Sequence, residues 1–376
     1  MIYGVLIALI YLSKFIYDRI PALTEKRRKM LFLGTAFALL FFVCAFRHVS
    51  VGTDMQSYLN KYVLLSRYSF LDIFSGFYSE RVEIGFALLN KLLSLISPFP
   101  QTIIIVSTFL FCLGCATFIY RYIDNDLTAV ILFTCGGMYM YAFNITRQMI
   151  ACAILMNAWG LLTEKRYRAS FLLFALSITF HVTSAVFILA YLFYFIRHNK
   201  TAVTITATIG LLLALNYIHI INFAAQFTDK FSYLDNSRQK IDARGVWAIW
   251  SVEIAVLATY LLYYYFRHTS TATRLLNKLP HPVSGISAVE SLCIPVFVAL
   301  YIIFICMGTQ FNYMDRFGVY FLPFCMLLFI NFGNRIKEQS IRLARIYTAA
   351  VHTCSVIYFV FFASALPHYS YMFMWS

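Results

Sequence analysis

The stretch QTIIIVSTFLFCLGCATFIY, residues Gln101–Tyr120, contains no charged side chain. A helix of this length, which rises about 1.5 Å per residue, crosses the roughly 30 Å hydrocarbon core of a bilayer. Comparable apolar runs occur at Val246–Phe266 and Tyr347–Leu366. The sequence lacks the alternating pattern of outer-membrane barrel strands, so a helical bundle is expected. These runs predict an all-α integral membrane protein.

The overall composition agrees with a membrane location. Of the 376 residues, 61% are hydrophobic and 12% are charged, and the mean hydropathy is +0.74. Soluble domains of this length are much less apolar. We therefore predict one polytopic transmembrane domain over residues 1–376. The first apolar run, Ile2–Ile16, has neither a basic n-region nor a small-residue cleavage site, which predicts a retained helix.

The basic residues determine the expected topology. The formal net charge of +14 would suit nucleic acid, but Lys and Arg are grouped between apolar runs, as in membrane proteins, so no nucleic-acid partner is expected. Placing these groups in the cytoplasm predicts an outer amino terminus and about 12 transmembrane helices. Extracytoplasmic loops are expected at about 47–83 and 222–245.

Three segments are decisive for this topology. Ile84–Ser97 is short for a span and is expected to be re-entrant or interfacial. Leu127–Phe143 is predicted to be one span. Ala169–Phe195 is expected to break near His181 into two short helices.

Polar residues interrupt an apolar run in NITRQMIACA, residues Asn144–Ala153. On a helix, Asn144, Arg147 and Gln148 would share one face and could bind one ligand. The small side chains of Ala151 and Ala153 would let a neighbouring helix approach closely. In the alternative interpretation, Arg147 extends to lipid phosphate at the membrane boundary.

The predicted topology places polar residues from separate parts of the chain on the outer side. They are Arg47, His48, Asp54, Arg81, Glu83, Asn144, Arg147, Gln148, His181, Asp315 and Arg316. Several arginines with carboxylates and a histidine suit a phosphate or pyrophosphate ligand beside a general acid or base. The alternative is a belt of interfacial charge. Because the acidic residues on the outer side form no DxD motif, and the CxxC of Cys112 and Cys115 has no second pair, we expect no metal and no cofactor.

Roles follow from side-chain chemistry. We expect pyrophosphate to be bound by Arg47, Arg147 and Arg316 together with Asn144 and Gln148. The catalytic proton acceptor is expected among His181, Asp54 and Glu83, with His181 preferred because its unperturbed pKa is about 6.5. Two alternatives remain open. His181 could be bonded to a backbone carbonyl at the helix break, and Asp54 could be a helix N-cap.

Five motifs in order resemble those of the EpsG family. They are RHVSVGTDMQSYLNKY (47–62), ERVEIGF (80–86), NITRQMIACAI (144–154), ITFHVTSAVF (178–187) and MDRFGVYF (314–321). Proteins of that family are Wzy-type polymerases of bacterial surface polysaccharide. One departure is Met55, which stands where an aromatic residue commonly follows the GTD.

The resemblance implies a GT-C-like glycosyltransferase of the bacterial cytoplasmic membrane. Its substrate would be oligosaccharide repeat units on undecaprenyl pyrophosphate, and the growing O-antigen or capsule chain would be transferred en bloc to an incoming unit on the outer face. Membrane lipid and a polysaccharide chain-length regulator are the other partners that it implies. Two alternatives are a flippase for the same lipid, which Glu253 within an apolar run would favour, and an O-antigen ligase.

Overall fold

The structure is a computed structural model that describes residues 2–76, 82–197, 199, 201, 258–259, 286–308, 314–365 and 371–374. These residues are almost entirely helical. Their helices are α1 (Ile2–Asp18), α2 (Glu25–Ala45), α3 (Met55–Ser66), α4 (Phe70–Phe74), α5 (Ile84–Ser94), α6 (Gln101–Tyr122), α7 (Asp126–Cys135), α8 (Met138–Tyr141), α9 (Thr146–Thr163), α10 (Tyr167–Phe180), α11 (Ile188–Ile196), α12 (Ile286–Gly308), α13 (Met314–Gly318), α14 (Leu322–Gln339) and α15 (Ile341–Ala365). The prediction of an all-α membrane protein is confirmed.

Three helical segments in the described ranges are long and apolar enough to cross a membrane. They are Glu25–Ala45, Gln101–Tyr122 and Ile341–Val360. Several further apolar helices, among them α5, α7 and α10, are shorter. The predicted span Val246–Phe266, apart from residues 258–259, and the predicted loop 222–245 lie outside the described residues, as does Arg81.

The chain divides into two compact units. The first comprises Met1–Ala185 and Gly333–Ser376, and the second comprises Val186–Phe332. In the second unit, aromatic rings form much of the core. Phe297 packs on Phe324 with ring centroids 4.5 Å apart, and Phe187 stacks on Phe321 at 5.9 Å.

Helix α9 is the centre of the first unit, where it packs against α6 and α10. Small residues permit this packing, because a Cβ added at Gly114 of α6 would lie 2.9 Å from that of Ala153 of α9. Asn157 of α9 also donates hydrogen bonds to the carbonyls of Gly114 and Ala153, at 2.8 and 2.9 Å. The predicted close approach at Ala153 is confirmed.

The helix boundaries correct two expectations and confirm a third. The segment Leu127–Phe143, predicted as one span, is not one continuous helix, because Gly136 and Gly137 separate α7 from α8 and Gly137 has a φ of +97°, which L side chains rarely adopt. Asn144 lies outside the helix, because α9 begins at Thr146, so the predicted single helical face for Asn144, Arg147 and Gln148 is also wrong. The predicted break at His181 is confirmed, since this residue ends α10 and a 3₁₀ helix follows over Val182–Phe187.

Candidate functional site

Glu83 joins Arg147 and His181 in the first unit. Its Oε2 forms an ion pair with Nη1 of Arg147. Its Oε1 is 2.9 Å from Nδ1 of His181 and accepts a hydrogen bond from the backbone N–H of Val182 at 3.2 Å. All three side chains are mostly buried, with exposed fractions of 17% for Glu83, 17% for Arg147 and 13% for His181. The three groups therefore form one charged cluster.

The local fold explains why these residues meet. Glu83 occupies the N-cap position of α5, and Arg147 lies in the first turn of α9. A Cβ at Gly85 would collide with the hydroxyl and backbone of Thr179, so this glycine allows α5 to approach the end of α10. His181 then leaves α10 in an extended conformation, with φ −157° and ψ 113°, beside Glu83. Nδ1 of His181 bonds the carboxylate of Glu83. The alternative, a bond from this nitrogen to a backbone carbonyl at the helix break, is not observed.

The electrostatics of the cluster determine which atoms carry protons. Burial acts to raise the pKa of Glu83, but the hydrogen bond to His181 and the charge of Arg147 lower it to about 2. Glu83 is therefore ionised at neutral pH, and an ionised carboxylate can only accept hydrogen bonds. Nδ1 of His181 must then be the donor. In the neutral ring this leaves Nε2 as a proton acceptor, and no partner contacts Nε2 among the residues described.

Two aromatic rings flank the guanidinium of Arg147. Its Cζ lies 6.0 Å from the ring centroid of Tyr58 and 5.8 Å from that of Phe86. Its Nε is buried and has no hydrogen-bond acceptor within the described part of the chain. Burial raises the pKa of Tyr58, although the charge of Arg147 acts to lower it. Sequence analysis missed Tyr58, whose position one helical turn after Asp54 in α3 was the available signal.

Asn144 holds the loop that carries Asp54. Its Oδ1 accepts a hydrogen bond from the backbone N–H of Thr53 at 2.8 Å. Gly52 has a φ of +99°, and a Cβ there would collide with the carbonyl oxygen of Phe143. Asp54 occupies the N-cap position of α3 without making a side-chain capping bond, and its Oδ1 accepts from the Thr53 hydroxyl at 3.2 Å. The carboxylate of Asp54 is therefore not committed to capping α3.

Arg47 and Gln148 are placed differently from the other candidates. Arg47 is fully buried, and it donates to the backbone carbonyls of Cys44, Val51 and Phe143, the last two at 3.2 Å. Gln148 is only 1% exposed within the bundle. Because the three guanidinium nitrogens of Arg47 all donate to backbone carbonyls, this side chain has a structural role in the loop before α3.

Arg316 belongs to the second unit, where it lies on α13 beside Asp315. Burial raises the pKa of Asp315 to about 6, although the charge of Arg316 acts to lower it. Among the residues that the structure describes, no three His, Cys, Asp or Glu side chains are grouped as metal ligands.

These features define a helical membrane protein with a polar site. In that site one carboxylate, Glu83, binds both Arg147 and His181. A family model described as the EpsG family matches residues 30–374, which is nearly the whole chain. The chain belongs to the EpsG family, and EpsG-like proteins are Wzy-type polymerases. No curated protein and no solved structure matches it.

Proposed function

We propose that this protein is a glycosyltransferase that polymerises oligosaccharide repeat units carried on undecaprenyl pyrophosphate. In the proposed reaction the bond between the donor's anomeric carbon and the pyrophosphate breaks. An acceptor hydroxyl forms the new glycosidic bond and loses its proton, and undecaprenyl pyrophosphate leaves. The product is a surface polysaccharide made on the outer face of the cytoplasmic membrane. The observation that carries this proposal is the bridging of Arg147 and His181 by Glu83 in a chain of the EpsG family.

His181 is the proposed general base. The Glu83 carboxylate orients the ring through Nδ1, so that Nε2 can take the proton of the acceptor hydroxyl. The same carboxylate then stabilises the imidazolium that forms. Glu83 itself is a weak base, because its pKa is about 2. Glu83 is therefore a positioning residue in this proposal, and Asp54 is the alternative base because its carboxylate does not cap α3.

Arg147 is the proposed ligand of the departing pyrophosphate. Negative charge builds up on this group as the glycosidic bond breaks, and a guanidinium binds phosphate oxygens through parallel N–H bonds. One nitrogen of Arg147 is occupied by Glu83, whereas Nε has no acceptor in the described chain. Arg147 can thus keep its contact with Glu83 and still bind a phosphate oxygen. Gln148 and Arg316 stay predictions from the sequence.

The direct test compares His181→Gln with Asp54→Asn in proteoliposomes that contain purified lipid-linked repeat units. We expect His181→Gln to lower kcat by about 10²–10⁴-fold, the usual contribution of a general base, while donor binding persists. Asp54→Asn should reduce kcat much less. Loss of kcat in Asp54→Asn with normal activity in His181→Gln would transfer the role to Asp54.

The transporter and ligase alternatives are separated by the phenotype of a deletion strain. Without a polymerase, cells should display single repeat units on their surface glycolipid. Accumulation of lipid-linked units on the cytoplasmic side would indicate a flippase. Lipid-linked polymer that is never transferred to a surface glycolipid would indicate a ligase.

A further inference from the structure

A groove of about 560 Å³ lies in the first unit between α3 and the start of α6. Its walls include Gln56 and Asn60 of α3, Phe99 from the loop before α6, and Met374 near the carboxyl terminus. Its volume falls within the roughly 300–1,000 Å³ that is usual for small-molecule sites. No charged side chain lines it among the described residues. A ligand of this groove would therefore be uncharged where it is bound.

Phe99 presents an exposed aromatic ring on a constrained loop. The side chain is 72% exposed, and prolines at 98 and 100 restrict the backbone on both sides. The loop is also fixed by hydrogen bonds of Ser97, whose carbonyl accepts from the Tyr62 hydroxyl at 2.7 Å and whose hydroxyl is 2.8 Å from that of Thr102. Because the loop is already ordered, stacking on this ring would cost little conformational entropy.

Gln56 and Asn60 form an exposed amide pair beside this ring. They are one helical turn apart on α3, and Nε2 of Gln56 donates to Oδ1 of Asn60 at 2.8 Å. The remaining groups are an acceptor, Oε1 of Gln56, and a donor, Nδ2 of Asn60, and neither has a partner in the described part of the chain. A donor and an acceptor side by side suit neighbouring hydroxyls of a sugar ring. An isoprenoid tail, in contrast, has no group that could form a hydrogen bond with them.

Helix α3 connects this groove to the charged cluster. Tyr58 of α3 lies beside Arg147, while Gln56 and Asn60, two residues on either side of it, face the groove. Groove and guanidinium therefore lie on different faces of one short helix. A repeat unit bound in the groove would therefore contact α3 twice, with its recognised sugar in the groove and with its reacting end near Arg147.

We propose that the groove binds one uncharged sugar ring of the repeat unit. Phe99 stacks on the C–H face of this ring, and Gln56 and Asn60 bond its hydroxyls. The inference rests on the proposed function, because it assigns this sugar to the substrate of that reaction.

The test titrates full-length protein in nanodiscs with a defined probe. This probe is the repeat-unit oligosaccharide released by mild acid from lipid carrier of cells that lack the protein. We expect Phe99→Ala and the double variant Gln56→Ala, Asn60→Ala each to raise Kd by roughly tenfold or more, and Phe99→Tyr to retain binding. The matched control is Phe74→Ala on α4, which removes another exposed ring, 63% exposed, and should leave Kd unchanged.

Polymerisation assays with the same variants separate this proposal from the proposed function. Normal Kd and normal KM in Phe99→Ala, with polymer still formed, would refute the sugar site and leave the polymerase standing. If oligosaccharide binding depends on Phe99 but the wild-type protein makes no polymer, the sugar site would stand and the proposed polymerase function would be refuted. Competition by a polyprenyl phosphate without sugar, at equal affinity for wild type and the double variant, would identify a lipid groove and overturn the proposal.

Discussion

The backbone of Arg47 pairs with that of Phe373 in an antiparallel bridge. On either side, the N–H of His48 donates to the carbonyl of Met372 and the N–H of Met374 donates to that of Phe46, both at 2.8 Å. The side chain of Arg47 meanwhile binds the carbonyls of Val51 and Phe143. The segment 371–374 therefore holds the backbone of residues 46–48 in place, at the point where the loop before α3 begins.

Removing one backbone N–H donor from the segment 371–374 should weaken its pairing with residues 46–48 and lower the stability of the protein. Met374→Pro removes the N–H that bonds Phe46, whereas Met374→Ala removes the same side chain and keeps that N–H. We expect the proline variant to be less stable than the alanine variant by about 0.5–1.5 kcal/mol, the net value of one hydrogen bond. Unfolding of both variants in detergent measures the difference. Equal stabilities would show that the pairing contributes nothing.

Arg47→Lys tests whether this arginine is structural or a ligand. Lysine has one nitrogen and cannot reach the separate carbonyls of Cys44, Val51 and Phe143 together. Each buried carbonyl left without a donor costs about 1–3 kcal/mol, so we expect a clear loss of stability. The control is Arg67→Lys at an exposed position, which should be neutral. Full stability with weakened substrate binding in Arg47→Lys would restore the pyrophosphate role predicted from the sequence.

Much of the fold was predictable because local physics determines it. Apolar runs predicted α6 and α15, and the polar interruption at His181 correctly predicted the end of α10. The break between α7 and α8 was also visible as Gly136 and Gly137, but the apolar residues on both sides led to the prediction of one span. Asn144 was assigned to a helix on spacing alone, whereas its side chain bonds Thr53 and the helix begins two residues later.

The partners within the site could not be predicted, because they depend on tertiary packing. Sequence analysis placed Glu83, Arg147 and His181 on one side of the membrane, but it gave no reason for Glu83 to join the other two. That pairing requires the close approach of Gly85 to Thr179, which no pattern in the sequence specifies. The sequence also did not predict the burial of Arg47, because an arginine at a helix end can bind a ligand as well as a set of backbone carbonyls.

The depressed pKa of Glu83 makes a prediction about acid stability. A carboxyl of this type titrates near 4.3 in an unfolded chain, whereas that of folded Glu83 has a pKa of about 2. The ionised group therefore stabilises the fold above a pH of about 4.3, and this contribution is lost as the pH falls towards 2. The stability difference between wild type and Glu83→Gln should therefore shrink as the pH falls from about 4.3 towards 2. The exposed Glu164→Gln is the control, and a difference that persists unchanged to pH 2.5 or so would contradict the linkage.

The proposed orientation predicts which positions reagents can reach in intact cells. Cysteines introduced at Gln56 and Asn236 should react with an impermeant thiol reagent, because both positions lie in the predicted extracytoplasmic loops. A cysteine at Gln339 should react only after lysis. Labelling at position 339 in intact cells would overturn the predicted topology.

Arg147→Lys separates charge from geometry in the proposed pyrophosphate ligand. Lysine can maintain an ion pair with Glu83, but it lacks the planar group between Tyr58 and Phe86 and the second nitrogen needed for a phosphate oxygen. We expect the initial rate of polymerisation to fall by about 10²-fold or more, the usual loss when one donor to a developing negative charge is removed. Arg67→Lys should keep the wild-type rate, and protein amounts are to be equalised by immunoblotting. If even Arg147→Ala makes full-length polymer at normal expression, the leaving group is stabilised by other residues and the assignment of Arg147 fails.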